Sequence, residues 1–456
     1  MVEFYSRNIE RVYEPDVLVC GLGPAGISAA VAAARMGART MAVERSAFAG
    51  GNITNAKVVG ICGAVSNVTG ELVTGGITYE MLKRAAYRRE DDYSRKPLCE
   101  LLGENQDRVG PLYQPKTSEK HVAQVNSVRL LFDPEMFKHE ADLLLTGSGV
   151  DLLYHTVIAD AVTADGRILQ VIIANKNGLS CVKPRMVVDC TGDADIAAMS
   201  GAPFEKAEVV QPGTLMFTVG GLVFDDFQAF YDACRKTMAR AAESGEIDLY
   251  AGPSVGWMRP GMMNFNNTRL VYDATSAESV TAAEIRARKE VFRFFEVYKK
   301  HIGAFKNAYV QDSGPYLGTR ESRRIIGVYV LTLDDIVDGK RFDDAIALAG
   351  GIVDFHRVDK SGHSALRFVE PSDIPYRTLL PQKVDNLLVA GRCHSVTQMG
   401  AAVTRMAVTA MLMGEAAGRA AALALNGGCA PRDVDVEQLR ALLLKNGAIL
   451  SRRTNA

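Results

Sequence analysis

Two short apolar runs flank a glycine-rich turn near the start of the chain. Val17–Cys20 precedes the sequence GLGPAG, an alanine-rich stretch follows the turn, and Thr40–Val43 forms the second run before Glu44. Apolar runs of this length without alternation are typical of strands that are buried on both faces of a parallel sheet. The pattern predicts a strand, a tight turn, a helix and a second strand.

The spacing of the glycines gives this turn a chemical interpretation. Gly21 suits a tight turn, Gly23 lets a pyrophosphate approach the backbone, and Gly26 lets the helix pack closely on the strand. The N–H groups at the start of the helix favour phosphate. Glu44 accepts hydrogen bonds from a ribose and repels a 2′-phosphate, which disfavours NADP. The alternative is a glycine-rich turn with a purely structural role and no ligand. The turn alone does not distinguish an NAD site from an FAD site.

Later segments bear on that choice. A second buried run, Met186–Asp189, ends in Thr-Gly-Asp, and a third, Leu387–Ala390, ends in Gly391 and Arg392. Strand ends of this kind line the ligand crevice of a doubly wound sheet. A nucleotide fold that opens at residue 16 and is completed after residue 384 favours FAD, because simple NAD dehydrogenases usually complete theirs in one block.

Several further stretches resemble one flavoprotein group. The chain is similar to the FAD-dependent oxidoreductases of the glutathione-reductase-like superfamily, which have two dinucleotide-binding domains. More narrowly, it resembles the bacterial group named only as FAD-dependent oxidoreductases. The resemblance rests on GLGPAG, AGGN, VVDCTGDADIA, LGTRESRRIIGVYVLT, VDFH, IPYRTLLPQKVDNLLVAGRCHS and MGEAAGRAAALA.

The resemblance implies a set of FAD-binding residues. Glu44, with Arg45 beside it, would hold the adenosine ribose, and Val157 would contact the adenine through its backbone. Gly400, Ala401 and Ala402 would place a helix N-terminus against the flavin pyrimidine, where its dipole stabilises negative charge. The other expected contacts are Gly21, Gly23, Pro24, Ala25, Gly26, Gly50, Gly51, Asn52, Thr54, Thr191, Gly192, Asp193, Gly391 and Arg392. Many flavoproteins carry an acid where this chain has Arg392.

The expected fold class is α/β, with a Rossmann-like FAD-binding domain that is split in sequence. We expect residues 1–206 and 379–456 to form that domain and residues 207–378 to form an α+β substrate domain on a mixed sheet. Its expected strands include 214–224 and 325–332, and its expected helices are about 224–244 and 281–301. The polar insertion 87–125 is interpreted as a lid or an oligomer contact.

Candidate catalytic residues lie in the second half of the chain. Arg320 belongs to a basic group that is either an oxyanion clamp or a solvated patch pairing with nearby aspartates. His356 is the first candidate for a base and His363 the second, both in a loop with Asp354, although structural histidines are the alternative. Tyr376 orients substrate or packs at a hinge. A metal site is not expected, because no third ligand stands at a suitable spacing.

Composition excludes several other classes. The net charge of −1 gives no field that would attract nucleic acid or an anionic membrane. None of the eight cysteines forms a C-x-x-C pair, which fits a reducing cytosol. The N-terminus lacks an apolar signal segment, so we expect a cytoplasmic protein. Residues 407–425 are interrupted by Glu415 and Arg419, which indicates a buried helix in a soluble protein. Covalent flavin attachment at Cys393 or His394 stays open.

The expected function is FAD-dependent hydride transfer between flavin N5 and a small polar substrate, either a hydroxylated compound or an organic acid. The alternatives are reduction of an activated C=C bond, flavin-dependent monooxygenation, and a non-catalytic FAD-binding redox sensor. The electron acceptor and the oligomeric state, including a homo-oligomer, are left open by the sequence.

Overall fold

A computed structural model describes residues 8–66, 68–69, 71–85, 129–131, 133–259, 261–358 and 364–451. The expected insertion at 87–125 and His363 lie outside these residues. The helices are α1 (Pro24–Arg35), α2 (Gly76–Ala85), α3 (Pro134–Gly147), α4 (Asp195–Met199), α5 (Phe227–Glu243), α6 (Ala277–His301), α7 (Leu333–Val337), α8 (Gln398–Thr404), α9 (Ala407–Gly427) and α10 (Val436–Lys445).

The strands form two four-stranded sheets, one five-stranded sheet and several pairs within the described residues. In chain order they are β1 (Val12–Tyr13), β2 (Val17–Cys20), β3 (Thr40–Val43), β4 (Gly60–Cys62), β5 (Arg129–Leu131), β6 (Asp151–Leu153), β7 (Val157–Ala164), β8 (Arg167–Asn175), β9 (Gly178–Val182), β10 (Met186–Asp189), β11 (Phe204–Glu205), β12 (Phe217–Gly220), β13 (Tyr250–Arg259), β14 (Met262–Thr268), β15 (Tyr309–Ser313), β16 (Arg324–Ile325), β17 (Ala345–Ala349), β18 (Ile352–His356), β19 (Ser364–Phe368), β20 (Ser372–Pro375) and β21 (Leu387–Val389).

The five-stranded sheet is parallel and has the order β21-β10-β2-β3-β6. Its strands β2, β3, β10 and β21 are buried at every position, which is why they lack the alternation of a half-exposed strand. The expected Rossmann-like α/β fold is therefore confirmed. Since β21 comes from the end of the chain, both ends of the sequence build this one sheet.

Helices α1 and α9 pack on this sheet with unusually close backbones. A Cβ at Gly414 would come 2.0 Å from the carbonyl oxygen of Ala25, and one at Gly418 would come 2.1 Å from that of Ala29. Helix α9 is long and apolar enough to cross a membrane, but 94% of its most apolar window is buried inside the protein. It is a core helix of this fold, held there by its glycines.

A second layer is built on the sheet of β13, β14, β12 and β15. All its pairings are antiparallel, so the expectation of a mixed sheet was wrong in this detail. One face packs against α5 and α6 through rings such as Phe217 and Phe265, whose centroids lie 5.5 Å apart. The other face carries polar residues, among them Thr218, Asn264 and Asn266, because side chains alternate between the faces of a strand.

Three expected elements differ in the structure. Residues 325–332 form only the end of β16 followed by isolated bridges, since Gly327 and Leu331 pair with other loops. The expected loop around Asp354 is strand β18, paired with β19. Helix α6 begins earlier than expected, at Ala277, because Ser276 provides the N-terminal cap. The proposed domain boundaries stay a prediction.

Candidate active site

The glycine turn between β2 and α1 has little room for side chains. Gly21 has a φ of +86°, and a Cβ there would lie 2.8 Å from the carbonyl oxygen of Cys190. A Cβ at Gly26 would lie 1.9 Å from the carbonyl oxygen of Gly21. At Gly23 the sole described atom within 4 Å of a Cβ is the Cα of Gly51, at 3.9 Å. The turn is therefore tightly packed at Gly21 and Gly26, whereas free space remains beside Gly23.

The start of helix α1 has the properties of an anion site. Gly23 is its N-cap, Pro24 and Ala25 follow, and the described helix has neither a side-chain cap nor an acid in its first turn. Its first N–H groups and the positive end of its dipole are therefore available to a phosphate. A pyrophosphate fits this place, which a side chain on Gly23 would begin to fill.

Glu44 is fixed beside this turn at the end of β3. Its side chain is buried, and its two carboxylate oxygens accept hydrogen bonds from the backbone N–H groups of Leu22 at 2.7 Å and Ser46 at 2.9 Å. Arg45 is exposed, with its guanidinium 5.3 Å from the ring centroid of Tyr316. Val157 is half exposed and follows Thr156, whose N–H donates to the carbonyl of Glu44.

The segment after β3 lies directly on the glycine turn. Gly50 and Gly51 have φ values of +118° and +52°, and a Cβ at Gly51 would lie 2.8 Å from the Cα of Gly23. Thr54 closes the segment by donating to the carbonyl of Ala49 at 2.9 Å. Asn52 reaches the second layer, donating from Nδ2 to the carbonyl of Thr319 at 3.0 Å. This segment therefore joins the nucleotide turn to the loop that carries Arg320.

The carboxylate of Asp193 and the guanidinium of Arg392 form an ion pair where β10 and β21 end. Asp193 accepts a hydrogen bond from Arg392 at 2.8 Å and another from Ser322 at 2.5 Å. Burial alone would raise the pKa of Asp193, but the charge of Arg392 and these hydrogen bonds outweigh it, so the pKa is lowered. A Cβ at Gly192 would lie 2.9 Å from the Arg392 guanidinium. An acid is thus present beside Arg392, supplied by the neighbouring strand.

The remaining cofactor candidates occupy the same edge of the parallel sheet. Thr191 donates to the carboxylate of Asp189 from both its backbone N–H and its hydroxyl. Gly391 has a φ of +91°, and its Cβ would lie 3.0 Å from that of Ala25, the second residue of α1. Gly400, Ala401 and Ala402 are buried in α8, whose N-cap is Thr397.

Cys393 and His394 lie behind this edge. Both are fully buried, and Nε2 of His394 lies 2.8 Å from the hydroxyl of Thr404. Burial, and then the charge of Arg324, lower the pKa of His394 to about 3, so the ring is neutral. Burial raises the pKa of the Cys393 thiol. Neither side chain is accessible as an attachment point for a flavin.

A buried polar cluster lies between the loop of Arg320 and the end of α8. His356 is its centre, with Nδ1 3.0 Å from a guanidinium nitrogen of Arg269 and Nε2 3.0 Å from Oδ2 of Asp354. Arg405, directly after α8, donates to the backbone carbonyl of Asp354 at 2.6 Å and to its carboxylate at 3.2 Å. Arg320 donates to the carbonyl of Pro212.

The hydrogen bonds fix the protonation of this cluster. Because a guanidinium only donates, Nδ1 of His356 accepts from Arg269 and Nε2–H donates to Asp354. Burial, and then the charge of Arg320, hold the pKa of His356 well below its ordinary value, so the ring is neutral. Burial opposes ionisation of Asp354, but His356, Arg405 and Arg320 outweigh it and keep its pKa well below the usual range.

The structure thus places Arg320 close enough to His356 for its charge to act on the ring, but it places Tyr376 elsewhere. The Tyr376 ring is buried in the main core, and its hydroxyl donates to the carbonyl of Pro431 at 2.7 Å. His363 lies outside the described residues. Sequence reasoning missed Arg269 and Arg405, because each is a single arginine that no motif marks and that joins the cluster only through folding. Lys57, which follows Thr54 in the same segment, binds Thr218 and Asp312.

Comparison with solved structures gives remote similarities over nearly the whole chain. A geranylgeranyl bacteriochlorophyll reductase-like protein from Thermoplasma acidophilum is 14% identical, with 96% of this chain and 85% of that one covered and a TM-score of 0.47. The anhydrotetracycline hydroxylase OxyS from Streptomyces rimosus is 13% identical, with 95% and 68% covered and a TM-score of 0.45. L-proline dehydrogenase from P. horikoshii is 14% identical, with 95% and 98% covered and a TM-score of 0.42.

No curated protein matches the chain. A family model does, and it spans residues 16–443, from the start of the glycine-turn strand to the last helix. The match includes every described element of the cofactor edge and of the buried polar cluster. FAD is therefore the cofactor, and the protein is an enzyme that belongs to the FAD dependent oxidoreductase family.

Proposed function

We propose that this enzyme transfers a hydride between FAD and a small polar substrate, a hydroxylated compound or an organic acid. One observation carries the proposal: the buried cluster around His356 lies next to both segments that we expect to face the flavin. Asn52 binds the backbone of Thr319, the residue before Arg320, and α8 runs directly into Arg405. Charged groups so placed act on a substrate that lies against the cofactor.

We propose cofactor contacts that are supported by the geometry of the sheet edge and by the resemblance of the sequence to flavoproteins. The open turn at Gly23 and the start of α1 hold the pyrophosphate, Glu44 holds the adenosine ribose, and Asp193 with Arg392 holds the ribityl and phosphate groups. Val157 and Gly400 contact the adenine and the flavin ring, respectively. When bound, FAD supplies the hydride acceptor or donor. The protein supplies position and charge.

His356 is the proposed proton acceptor for the substrate. Its neutral ring has Nε2–H fixed by Asp354, so Nδ1 is the nitrogen that can take a proton. In the described arrangement Arg269 donates to that nitrogen. We propose that Nδ1 is released when Arg269 turns to the substrate, while Arg320 binds the substrate's polar group. A proton is then removed only from a substrate that is correctly bound.

The first experiment is the visible spectrum of the purified protein before and after acid precipitation. A flavin spectrum with all the pigment in the supernatant is expected, since no accessible attachment residue was found among the described candidates. Anaerobic addition of hydroxylated compounds and organic acids should then bleach the flavin. Reoxidation of the reduced enzyme by an unsaturated acid, without bleaching by any saturated compound, would instead support C=C reduction.

A further inference from the structure

Three buried arginines converge in the polar cluster, where Asp354 supplies the one carboxylate found among the described residues. Arg269 and Arg320 are 7% and 8% exposed, and the side chain of Arg405 is 11% exposed. Asp354 is the acid that the structure places with them, and His356 is neutral. Positive charge is therefore in excess at this place. Buried charge without a counter-charge is costly, and a bound anion removes that cost.

The charges of the arginines act on each other. Burial, and then the neighbouring Arg269 and Arg405, hold the pKa of Arg320 well below its ordinary value. Burial likewise lowers the pKa of Arg269 to about 10. A guanidinium stays protonated in proteins, so the cluster keeps its positive charge. The three guanidinium groups therefore repel one another at the place where we expect the substrate to bind.

Two buried nitrogen donors are unused among the described residues, one in the cluster and one on β14, the strand that leads into Arg269. Nε of Arg405 and Nδ2 of Asn264 have no hydrogen-bond partner among the residues that the structure describes. Asn264 is 3% exposed and lies on the polar face of β14, on the same side as Asn266, which binds Arg269 at 3.1 Å. Buried donors are normally paired, so an acceptor is missing here.

Two other buried arginines, Arg324 and Arg392, form ion pairs with carboxylates. Arg324 is as deeply buried, and its guanidinium meets the carboxylates of Glu321 and Glu205, each at 2.8 Å. Arg392 is similarly matched by Asp193. The arginines of the cluster bind mainly neutral acceptors instead, namely Asn266, the carbonyls of Thr268 and Pro212, and His356. Among these buried described arginines, Arg269 and Arg320 therefore have no carboxylate at hydrogen-bond distance, and Arg405 has that of Asp354 at 3.2 Å.

We propose that Arg269, Arg320 and Arg405 bind a carboxylate of the substrate, so that the substrate is a small organic acid and not a neutral hydroxylated compound. The inference rests on the proposed function, because it takes the place beside the flavin as the substrate site. A carboxylate accepts two parallel hydrogen bonds from one guanidinium, and Arg405 offers its unused Nε for this. Asn264 donates to the same ligand.

The test uses binding, not turnover. Oxidised enzyme with FAD bound is titrated by calorimetry with malonate, which carries no hydroxyl to oxidise, and with malonamide, its neutral amide. Malonate should bind saturably and shift the visible flavin spectrum, and malonamide should not bind. In Arg405→Gln the affinity for malonate should fall at least 10-fold, and Arg405→Lys should restore part of it because the charge returns.

The control is Arg432→Gln, which removes an exposed arginine paired with Asp385. It should bind malonate like the parent enzyme. Flavin content is measured for each variant, and Arg269→Gln replaces Arg405→Gln if the latter loses FAD. Equal binding by the parent and the cluster variants, or no malonate binding at all, would overturn the carboxylate site. Tighter binding of inorganic phosphate than of malonate would also overturn it, in favour of a phosphorylated substrate.

The binding result is separable from the proposed reaction. An enzyme that binds malonate through these arginines but is bleached by no organic acid keeps the anion site and loses the proposed dehydrogenation. An enzyme that is bleached by neutral alcohols and does not bind malonate keeps the hydride transfer and loses the carboxylate site.

Discussion

The carboxylate of Asp193 lies 2.8 Å from the guanidinium of Arg392 at the ends of two neighbouring parallel strands. Arg392→Gln should weaken FAD binding at least 10-fold, because it leaves the buried Asp193 without its counter-charge next to the anionic cofactor. Equilibrium titration of FAD by its fluorescence measures the change. Arg392→Lys should recover part of the affinity, since it keeps the charge without the two-pronged geometry.

The same pair gives an internal check. Asp193→Asn combined with Arg392→Gln should lose less affinity than the sum of the two single changes, because neither partner is then left with an unpaired charge. Strict additivity would show that the two side chains act on FAD independently. Arg432→Gln should leave FAD binding unchanged.

Gly26→Ala should destabilise the enzyme and reduce its FAD content. The new Cβ would stand 1.9 Å from the carbonyl oxygen of Gly21, so α1 must move off β2. Overpacking of this kind costs about 1–3 kcal/mol of unfolding free energy. Urea unfolding of the enzyme with FAD measures it. Gly147→Ala near the end of α3 is the matched control, since no described atom lies within 4 Å of its Cβ, and it should be neutral or slightly stabilising.

Replacement of His356 should slow flavin bleaching by substrate about 100-fold, which is a modest loss for a general base. FAD should be retained, because His356 contacts the proposed substrate and not the sheet edge. Asn and Gln are compared, since Asn keeps an acceptor near Nδ1 and Gln keeps a donor near Nε2. If His356 only positions its neighbours, one of the two variants will bleach at nearly the parent rate.

Stability should depend on pH through Asp195. Burial, then Asp193 and Asp189, raise the pKa of Asp195 to about 6 from 3.8. Its ionisation is thus less favourable in the folded enzyme, and its contribution to stability declines as pH rises from about 4 to about 6. The Asp195→Asn variant has no carboxyl group to ionise at this position, so its stability does not decline in this way. Its unfolding free energy, relative to that of the parent enzyme, should therefore rise between pH 4 and pH 7. A difference that stays constant with pH would contradict the assignment.

The sequence was most informative where local chemistry decides the structure. The strands Val17–Cys20, Thr40–Val43 and Met186–Asp189 were predicted residue for residue, because complete burial leaves an unmistakable apolar run. The turn at Gly21 was predictable for a similar reason, since backbone crowding there excludes other residues. Residues 325–332 misled the prediction, because an apolar segment also packs as an irregular loop when its partners come from distant parts of the chain.

The candidate site was only half predictable. Arg320 and His356 stand in recognisable stretches, but Arg269 and Arg405 reach them from separate elements. No spacing rule joins residues that meet through the packing of two layers. The unpaired donors of the cluster are likewise invisible in a sequence, because whether a buried nitrogen has a partner is decided by the folded structure alone.

The close contact between α1 and α9 also bears on how the enzyme is made. The glycine turn is translated more than 350 residues before β21 and α9, which complete its sheet and support its helix. A nascent chain that has not yet released these residues from the ribosome lacks one strand and the covering helix of the FAD site. We therefore expect tight FAD binding only after these residues have joined the sheet.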